Sequence, residues 1–420
     1  MDINTMLKGI DCQCGRHHKC NIDSVYIENG AIAHLEEICK TYANILIVAD
    51  ENTFGAAGTK VEDALCGKNI RKVIFTGSGV LIPNEDAIAE VTKQMDGINA
   101  IVGIGSGVIQ DLCKYVSFFE KVPYVIVATA PSMDGYASDG AAMILKGMKE
   151  TVPAGLPVAI VADTSVLKDA PMDMIKAGYG DIIGKYSALC DWKLSHELKG
   201  EYFCDYICST TYQMIDNTLN TADGLLKRDE NSVKALMEAL VVVGIMMSFA
   251  GTSRPASGSE HHLSHFFEIV GIVNSEEYLP HGIDVAYSTV VTAKIREEIV
   301  KKDFPDVLYR LPREEYTALM ESIYKSVAMG CIALQDKVGN YSSLTAEDYK
   351  AKETAVKEIL SGMPSSNEII EMLQRVELDM KGFYNTYTEK KISDAIAYAK
   401  DLKDRYTVLW LNYDLFGNDC

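Results

Sequence analysis

Basic side chains are scarce in this 420-residue chain. It has 40 Lys and Arg against 59 Asp and Glu, which gives a formal net charge of −19. A molecule with this charge repels nucleic-acid backbones and anionic lipid surfaces, and no Lys- or Arg-rich run offsets the repulsion locally. We therefore expect no nucleic-acid partner. An anionic ligand has to meet positive charge concentrated at its own site, from a metal ion, a basic side chain or helix N-termini.

The chain also lacks a long apolar run. Its most apolar stretch, residues 239–251, is well short of the roughly 20 residues that a membrane-spanning helix needs, and it is typical of a buried core helix. The first 20 residues are polar and charged where an export signal requires an apolar segment. These features predict a cytoplasmic protein without a membrane span.

Regular cysteine spacings are absent too. The 11 cysteines follow no repeating pattern, so we expect reduced thiols rather than a disulfide framework. One cluster, "CQCGRHHKC" at residues 12–20, offers three cysteines and two histidines to a zinc ion, but it lacks the C-x2-C arms of known zinc fingers and ribbons. A zinc site and a tight turn without metal are both compatible with this cluster.

Buried strands and helices alternate in the first part of the chain. Continuous apolar runs, typical of strands covered on both faces, lie at residues 44–50, 71–77, 100–107 and 123–130. Stretches between them, such as residues 85–97, repeat apolar residues every three or four positions. This order predicts an α/β domain over residues 1–165 with a doubly wound, Rossmann-like parallel sheet. Long helical patterns follow and predict an all-α domain over residues 166–420.

Two polar, glycine-containing segments follow buried strands. In "GIGSGVIQD", Gly107 and its neighbours lie where a strand turns into a helix, so backbone N–H groups and the helix dipole can meet a pyrophosphate. The spacing differs from the usual dinucleotide fingerprint, and glycine is common at such turns for backbone reasons alone. The hydroxyls and carboxylate of "TAPSMDGYAS", residues 129–138, suit a cofactor and a polyol, but they also suit a polar surface turn.

Three of the eight histidines fall within five positions, in "EHHLSH". His261 and His265 are four residues apart and share one helix face, while His262 is turned about 100° away from His261. One face therefore offers both a metal ligand and a proton donor. Asp181, near an apparent helix start, and His281 complete a donor set suited to a catalytic divalent ion. The alternative role for Asp181 is that of a helix N-cap.

In order and spacing, the segments "GIGSGVIQD", "ATAPSMDGYAS", "GYGDIIGKYSALCDW", "SRPASGSEHHLSH" and "PHG" resemble those of the sn-glycerol-1-phosphate dehydrogenases. That family belongs to the superfamily of iron-containing alcohol dehydrogenases and glycerol dehydrogenases, related in fold to 3-dehydroquinate synthase. The resemblance covers residues 12–281 and, more loosely, the remainder. It implies a dinucleotide-binding domain, a helical domain and the metal-dependent reduction of dihydroxyacetone phosphate by NADH or NADPH.

The resemblance also implies site residues. It places a divalent metal on Asp181, His261 and His281. The donor set itself suits zinc, nickel or iron, and we expect zinc or nickel. Catalytic and substrate contacts fall on Asp134 and His265, with Asp181 contacting the substrate as well. The implied cofactor contacts are Gly107, Val108, Ile109, Gln110, Asp111, Thr129, Ala130, Pro131, Ser132 and Ser138. His262 is then a solvated neighbour of the metal ligands.

Charge suggests further roles for individual residues. A phosphate dianion in so acidic a protein needs a cation, and we expect Arg254, within "SRPASGSEH", or Lys185, one helical turn after Asp181, to bind it. Asp50, at the end of a strand, is placed to accept hydrogen bonds from the adenosine ribose and to repel a 2′-phosphate, which favours NAD over NADP. The helical half is expected to form a homodimer.

Three alternatives are open at this point. The same fold serves enzymes that act on glycerol or another unphosphorylated polyol. A lyase like 3-dehydroquinate synthase also uses a nicotinamide and a metal, although the Lys- and Arg-rich carboxylate pocket of that family is not evident in this sequence. The third alternative is a metal or nucleotide sensor without activity, which the complete set of candidate metal ligands disfavours.

Overall fold

Strands and helices alternate in the first part of the chain, as the apolar runs predict. The computed structural model describes residues 2–77, 81–145 and 148–417. The strands are β1 (Ile10–Asp11), β2 (His17–His18), β3 (Ser24–Glu28), β4 (Asn44–Asp50), β5 (Asn69–Phe75), β6 (Ala100–Gly105), β7 (Tyr124–Ala128), β8 (Gly140–Leu145), β9 (Met148–Pro153) and β10 (Ala159–Asp163).

The α-helices begin before the first strand and continue to the end of the described chain. They are α1 (Ile3–Met6), α2 (Leu35–Ile38), α3 (Glu51–Ala64), α4 (Glu85–Thr92), α5 (Gly107–Glu120), α6 (Thr164–Leu167), α7 (Met172–Lys199), α8 (Asp205–Leu219), α9 (Ala222–Leu226), α10 (Glu230–Ala250), α11 (Ser259–Asn274), α12 (His281–Lys301), α13 (Arg313–Tyr324), α14 (Ala328–Val338), α15 (Ala346–Ala351), α16 (Glu353–Ser361), α17 (Ser366–Gln374), α18 (Lys381–Thr386), α19 (Glu389–Tyr398) and α20 (Val408–Phe416).

Six strands form one sheet, in the order β3-β10-β7-β6-β4-β5. All five pairings in this sheet are parallel. Strands β6, β7 and β10 consist entirely of buried residues, as expected for a parallel sheet that is covered on both faces. The prediction of a doubly wound parallel sheet is therefore confirmed.

Local sequence explains how two strands pass into the helices that follow them. The carboxylate of Asp50, at the end of β4, accepts a hydrogen bond from the N–H of Thr53 at 2.9 Å, and the Thr53 hydroxyl accepts one from the N–H of Asp50 at 3.0 Å. This reciprocal capping begins α3. At the end of β6, a Cβ on Gly105 would lie 2.6 Å from the side chain of Ile109, so only glycine allows α5 to pack this closely against the strand.

The chain divides into two compact units, which comprise residues 1–182 with 213–253 and residues 183–212 with 254–420. Helices α7 and α8 contribute residues to both units. The expected single boundary between residues 165 and 166 differs from this division. One reason is α10, which belongs to the first unit and packs there through hydrogen bonds such as that from the Ser248 hydroxyl to the Ala137 carbonyl, 2.9 Å. Periodicity predicts a helix but does not show which unit the helix packs against.

Helices α11–α20 lie in the second unit, and its described part contains no strand. The expectation of a helical domain is thus met in this unit. Within the described residues, α10 is the one helix whose length and apolar composition would suffice to cross a membrane, and 78% of its most apolar stretch is buried in the structure. Two antiparallel hairpins, β1–β2 and β8–β9, were not predicted. The strands of the first have only two residues each, which is too few for a periodic signal.

Candidate functional site

A groove with a volume of about 1430 Å³ lies at the carboxyl ends of the parallel strands. Ligands bind to doubly wound sheets at this edge, and dinucleotides do so over a strand-to-helix turn such as the one from β6 to α5. Five residues of the predicted cofactor set line the groove, namely Asp50, Val108, Ile109, Thr129 and Ala130. The groove is therefore the candidate cofactor site of the first unit.

Apart from Ser138, the other predicted cofactor residues lie within two positions of these five in the chain. Gly107 is the first residue of α5, and Pro131 and Ser132 follow directly after Ala130. Gln110 faces the interior of the unit: its fully buried amide donates to the hydroxyl of Tyr124 at 3.1 Å and to the carbonyl of Tyr136 at 3.3 Å. Gln110 thus connects α5 to β7 and to the loop that follows β7.

Lys114, which no motif of the sequence marks, contacts the same loop. Its fully buried ammonium donates to the carbonyls of Gly135 and Gly140, at 3.2 and 2.8 Å, and to the hydroxyl of Ser138 at 3.3 Å. The carboxylate of Asp111 lies 3.5 Å away. Burial lowers the pKa of Lys114, and the charge of Asp111 opposes this shift. Asp111 and Ser138 are therefore both engaged by Lys114.

Asp181 lies well inside α7 rather than at its start. The helix begins at Met172, so the alternative of an N-cap role is wrong. The carboxylate is fully buried and accepts a hydrogen bond from the N–H of Asp134 at 3.0 Å. A buried carboxylate is costly unless hydrogen bonds and positive charge compensate it, and a metal ion provides such compensation.

Three histidines meet in the second unit. His261 and His265 lie one turn apart on α11, and His281 is the first residue of α12. The ring of His281 has its centroid 5.1 Å from that of His261 and 5.5 Å from that of His265. The hydroxyl of Ser264 lies 3.3 Å from Nδ1 of His281. Residues from two separate helices thus present their imidazoles to one place.

The ligand atoms that Asp181, His261 and His281 offer all lie within 4.8 Å of one another. One carboxylate and two imidazoles are donors that zinc and related divalent ions accept, and three protein ligands leave coordination positions for a substrate. The chemistry of this donor set therefore fits a catalytic metal ion. These are the three residues that the resemblance assigned to the metal.

Glu260 is a second buried charged residue that was not predicted from the sequence. Its Oε1 lies 2.6 Å from Nδ1 of His261 and accepts a hydrogen bond from the N–H of Gly258 at 2.9 Å. Its side chain is fully buried. An acceptor at Nδ1 fixes the proton on that nitrogen and leaves Nε2 of His261 available as a ligand.

His262 is buried, so the prediction of a solvated side chain is wrong. The residue has no exposed surface, and neither ring nitrogen has a hydrogen-bond partner within the described parts of the chain. Burial lowers its pKa well below the usual value, and the nearby charges of Arg405, Lys403 and Arg254 lower it further. His262 is accordingly neutral. The helix face that is turned away from the metal ligands packs into the second unit instead of facing water.

The two candidate phosphate-binding cations are both buried. The guanidinium of Arg254 donates to the carboxylate of Glu201 at 2.8 Å through Nε and to the carbonyl of Tyr406 at 2.8 Å through Nη1. The ammonium of Lys185 donates to the carbonyl of Ala256 at 3.1 Å. Arg254 therefore takes part in an ion pair with the half-buried Glu201, and Lys185 lies beside the segment that leads into α11.

Comparisons with known proteins agree with this architecture. Residues 26–171 match the model of the iron-containing alcohol dehydrogenase family. The chain is 31% identical over 373 residues to glycerol-1-phosphate dehydrogenase (NAD(P)+) of Geobacillus stearothermophilus, an alignment that covers 87% of this chain and 86% of that protein. Among solved structures, the iron-containing alcohol dehydrogenase of Thermococcus thioreducens has a TM-score of 0.60 at 15% identity and covers 94% of this chain and 98% of its own. Glycerol dehydrogenase of Schizosaccharomyces pombe has a TM-score of 0.55 at 18% identity, with 87% and 91% covered.

Proposed function

The chain belongs to the glycerol-1-phosphate dehydrogenase family, as its motifs predicted, and we propose that it reversibly reduces dihydroxyacetone phosphate to sn-glycerol 1-phosphate with NAD(P)H. The observation that carries this proposal is the grouping of Asp181, His261 and His281 as metal-ligand donors. The groove at the nucleotide-binding edge of the parallel sheet supports it.

We assign the metal to these three residues. A carboxylate with two imidazoles suits zinc and nickel, and both are candidates for this site. When bound, a divalent ion supplies Lewis-acid stabilisation of the negative charge that develops on the C2 oxygen of the substrate. Glu260 contributes by holding the ring of His261 in one orientation.

We assign proton exchange with the substrate oxygen to His265. It lies one helical turn from His261, and its ring stacks on that of His281. An imidazole gives up and takes up a proton near neutral pH, as reversible reduction of a ketone requires. The backbone N–H of Asp134 donates a hydrogen bond to the carboxylate of Asp181. We propose that the carboxylate of Asp134 itself binds a substrate hydroxyl.

We assign the substrate phosphate to Lys185 rather than to Arg254. Arg254 already bonds the carboxylate of Glu201 and a backbone carbonyl, so its charge is largely compensated. Lys185 is fully buried on α7, one turn after Asp181, and contacts the segment before α11. A buried ammonium provides the local positive charge that a dianion needs in a protein with a net charge of −19.

The proposed cofactor contacts are the start of α5 and the loop after β7. Asp50 lines the same groove, and its carboxylate is held by the N–H of Thr53. A fixed carboxylate there accepts hydrogen bonds from a ribose and repels a 2′-phosphate, which supports NAD as the preferred cofactor. A homodimer and a cytoplasmic location stay predictions from the sequence.

The test is turnover with matched substrates. NADH oxidation is measured with dihydroxyacetone phosphate and with dihydroxyacetone, and NAD reduction with each enantiomer of glycerol phosphate, after chelation and after zinc or nickel is restored separately. We expect the enzyme to reduce dihydroxyacetone phosphate but not dihydroxyacetone, and to oxidise sn-glycerol 1-phosphate but not its enantiomer. Both reactions should require the metal ion. A comparable kcat/KM for dihydroxyacetone or glycerol would instead show that the natural substrate is an unphosphorylated polyol. His281→Ala should abolish turnover, whereas His34→Ala, which replaces a half-buried histidine paired with Glu28 outside the site, should retain it.

A further inference from the structure

A second cluster of metal-ligating side chains lies at the N-terminal hairpin. Strands β1 and β2 pair in antiparallel register, and the second of them ends at His18. The turn is closed by the N–H of Cys12, which donates to the carbonyl of Arg16 at 3.0 Å, and by Gly15, whose φ of 84° is one that glycine adopts without strain. The turn therefore presents Cys12 and Cys14 beside the imidazole of His18.

The ligand atoms of this cluster are spaced like those around one ion. Cys12, Cys14, His18 and Cys204 each offer an atom within 4.8 Å of the other three. Sγ of Cys14 lies 3.4 Å from Nε2 of His18. Tetrahedral zinc, with bonds of about 2.3 Å to sulfur and about 2.0 Å to nitrogen, holds such a pair of atoms about 3.5 Å apart. The observed separation is that of two ligands on one ion.

The imidazole of His18 is oriented for this role. Its Nδ1 lies 3.0 Å from the carbonyl oxygen of Phe249, and its ring stacks on the ring of Phe249 with the planes 11° apart. A carbonyl only accepts, so Nδ1 carries the proton and Nε2 presents its lone pair toward Cys14. Zinc-binding histidines are usually held by such a bond from the second ring nitrogen.

Cys204 supplies the third sulfur. It is buried, and its carbonyl accepts the N–H of Cys208 at 3.0 Å where α8 begins. Three thiolates and one imidazole fill all four positions of a tetrahedral ion, which is the pattern of structural zinc. The candidate catalytic set of Asp181, His261 and His281 differs from this pattern in two ways. It contains no sulfur ligand, and its three ligands leave coordination positions open.

We propose that Cys12, Cys14, His18 and Cys204 bind a structural zinc ion, separate from the metal of the reaction. Each cysteine loses its thiol proton to solvent on binding, and His18 binds in its neutral form. The ion fixes the N-terminal hairpin and takes no part in turnover. The proposal does not depend on the activity assigned above, since none of its four ligands belongs to that site.

Cobalt substitution tests the site on the full chain. The purified protein is stripped with a chelator under reducing conditions and titrated with Co²⁺. A thiolate ligand gives a sulfur-to-cobalt charge-transfer band in the near ultraviolet, which the sulfur-free catalytic donor set cannot give. We expect this band in the unmodified protein and in Cys66→Ser, which replaces an exposed cysteine outside the cluster, and its loss or strong reduction in Cys14→Ser. An unmodified protein that binds Co²⁺ without the band overturns the proposal, as does one that binds no Co²⁺.

Zinc content gives an independent measurement. Elemental analysis of protein purified with zinc should find one ion fewer per chain in Cys14→Ser and in His18→Ala than in the unmodified protein. The matched control is His17→Ala, the neighbouring exposed histidine that pairs with Asp11 and lies outside the cluster. His261→Ala should lose an ion without losing the cobalt–sulfur band, which separates failure of this proposal from failure of the proposed activity. If folded Cys14→Ser contains as much zinc as the unmodified protein, the structural zinc proposal is overturned. If that variant does not fold, the cobalt titration of the unmodified protein tests the proposal instead.

Discussion

A Cβ placed on Gly178 of α7 would lie 1.9 Å from the carbonyl oxygen of Pro131. Helix and loop therefore meet backbone to backbone, at a distance that no side chain permits. One turn further along α7, the carboxylate of Asp181 accepts the N–H of Asp134 at 3.0 Å. These two contacts fix the loop after β7, which carries predicted cofactor residues and a predicted substrate residue.

Gly178→Ala should displace that loop. The added methyl group has to push a backbone carbonyl away, so we expect a loss of roughly 1–3 kcal/mol in the free energy of unfolding, typical of overpacking. We also expect a several-fold rise in the KM for NADH, because Thr129 and Ala130 line the cofactor groove. Denaturant unfolding and steady-state kinetics measure the two effects.

The matched control is Gly55→Ala on α3, where an added Cβ meets nothing within 4 Å. Alanine is favoured over glycine inside a helix by roughly 0.5–1 kcal/mol, so this variant should be as stable as the unmodified protein or slightly more stable. Equal stability and equal KM for NADH in both variants would show that the loop tolerates displacement.

The two buried cations should respond differently to substitution. Lys185→Gln should raise the KM for dihydroxyacetone phosphate by roughly tenfold or more, since a hydrogen bond to a charged group contributes about 1.5–3 kcal/mol, while the KM for NADH changes little. Arg254→Gln should mainly lower the free energy of unfolding, because it leaves Glu201 without its guanidinium partner. The reverse pattern of KM and stability would assign the phosphate to Arg254.

Sequence patterns predicted the parallel sheet because strands buried on both faces leave continuous apolar runs, such as that of β6. They did not predict the assignment of α10, since an all-round apolar helix carries no sign of the unit that buries it. The hairpin β1–β2 was not predicted either. Its strands have two residues each, and pairing over so short a length is set by the turn rather than by periodicity.

The candidate site was predictable only in part. The spacing of His261 and His265 indicated one shared helix face, and residue chemistry made Asp181 and His281 candidate ligands. Because these two come from distant segments, the family resemblance was needed to choose the ligand set. Lys114 and Glu260 were missed because a single charged residue in a helical pattern gives the same signal whether it is solvated or buried. The burial of His262 was missed because an angle around the helix axis does not show what packs against that face.

His262 should be replaceable by an apolar residue of similar size. Its ring is neutral and buried, and its nitrogens have no hydrogen-bond partner among the described residues, so removing them removes an uncompensated desolvation cost. We expect His262→Leu to keep its metal content and to unfold at equal or higher denaturant concentration, with a gain of up to about 1–2 kcal/mol. A loss of bound metal equal to that of His261→Leu would show that the two histidines share a role.

Glu260→Gln should weaken metal retention without removing a metal ligand. The amide keeps the size of the side chain but loses the charge that strengthens the bond to Nδ1 of His261. Changes at such supporting residues typically cost about 10–100-fold in metal affinity. Competition with a chelator measures the affinity, and Glu268→Gln on the same helix is the control. Equal affinity in the two variants would limit Glu260 to a packing role.

Stability should depend on pH through Asp191. This buried carboxyl accepts hydrogen bonds from the N–H groups of Ser259 at 2.6 Å and Val408 at 2.7 Å. Burial raises its pKa to about 6, and the nearby charge of Glu260 adds to the shift. Because the folded state holds this proton more tightly than the unfolded state, the carboxyl stabilises the fold at low pH, and that contribution is lost as the pH rises through about 6.

The expected size follows from the shift of about two pKa units, which corresponds to roughly 3 kcal/mol. Asp191→Asn has no proton to lose over this range. The free energy of unfolding of the unmodified protein, relative to the variant, should therefore fall by up to that amount as the pH rises from about 4 to about 7. Urea unfolding at several pH values measures it, and the exposed Asp173→Asn controls for the loss of one acidic charge. A constant difference between Asp191→Asn and the unmodified protein across the range would mean that Asp191 is already ionised in the folded protein at pH 4, held by its two backbone hydrogen bonds.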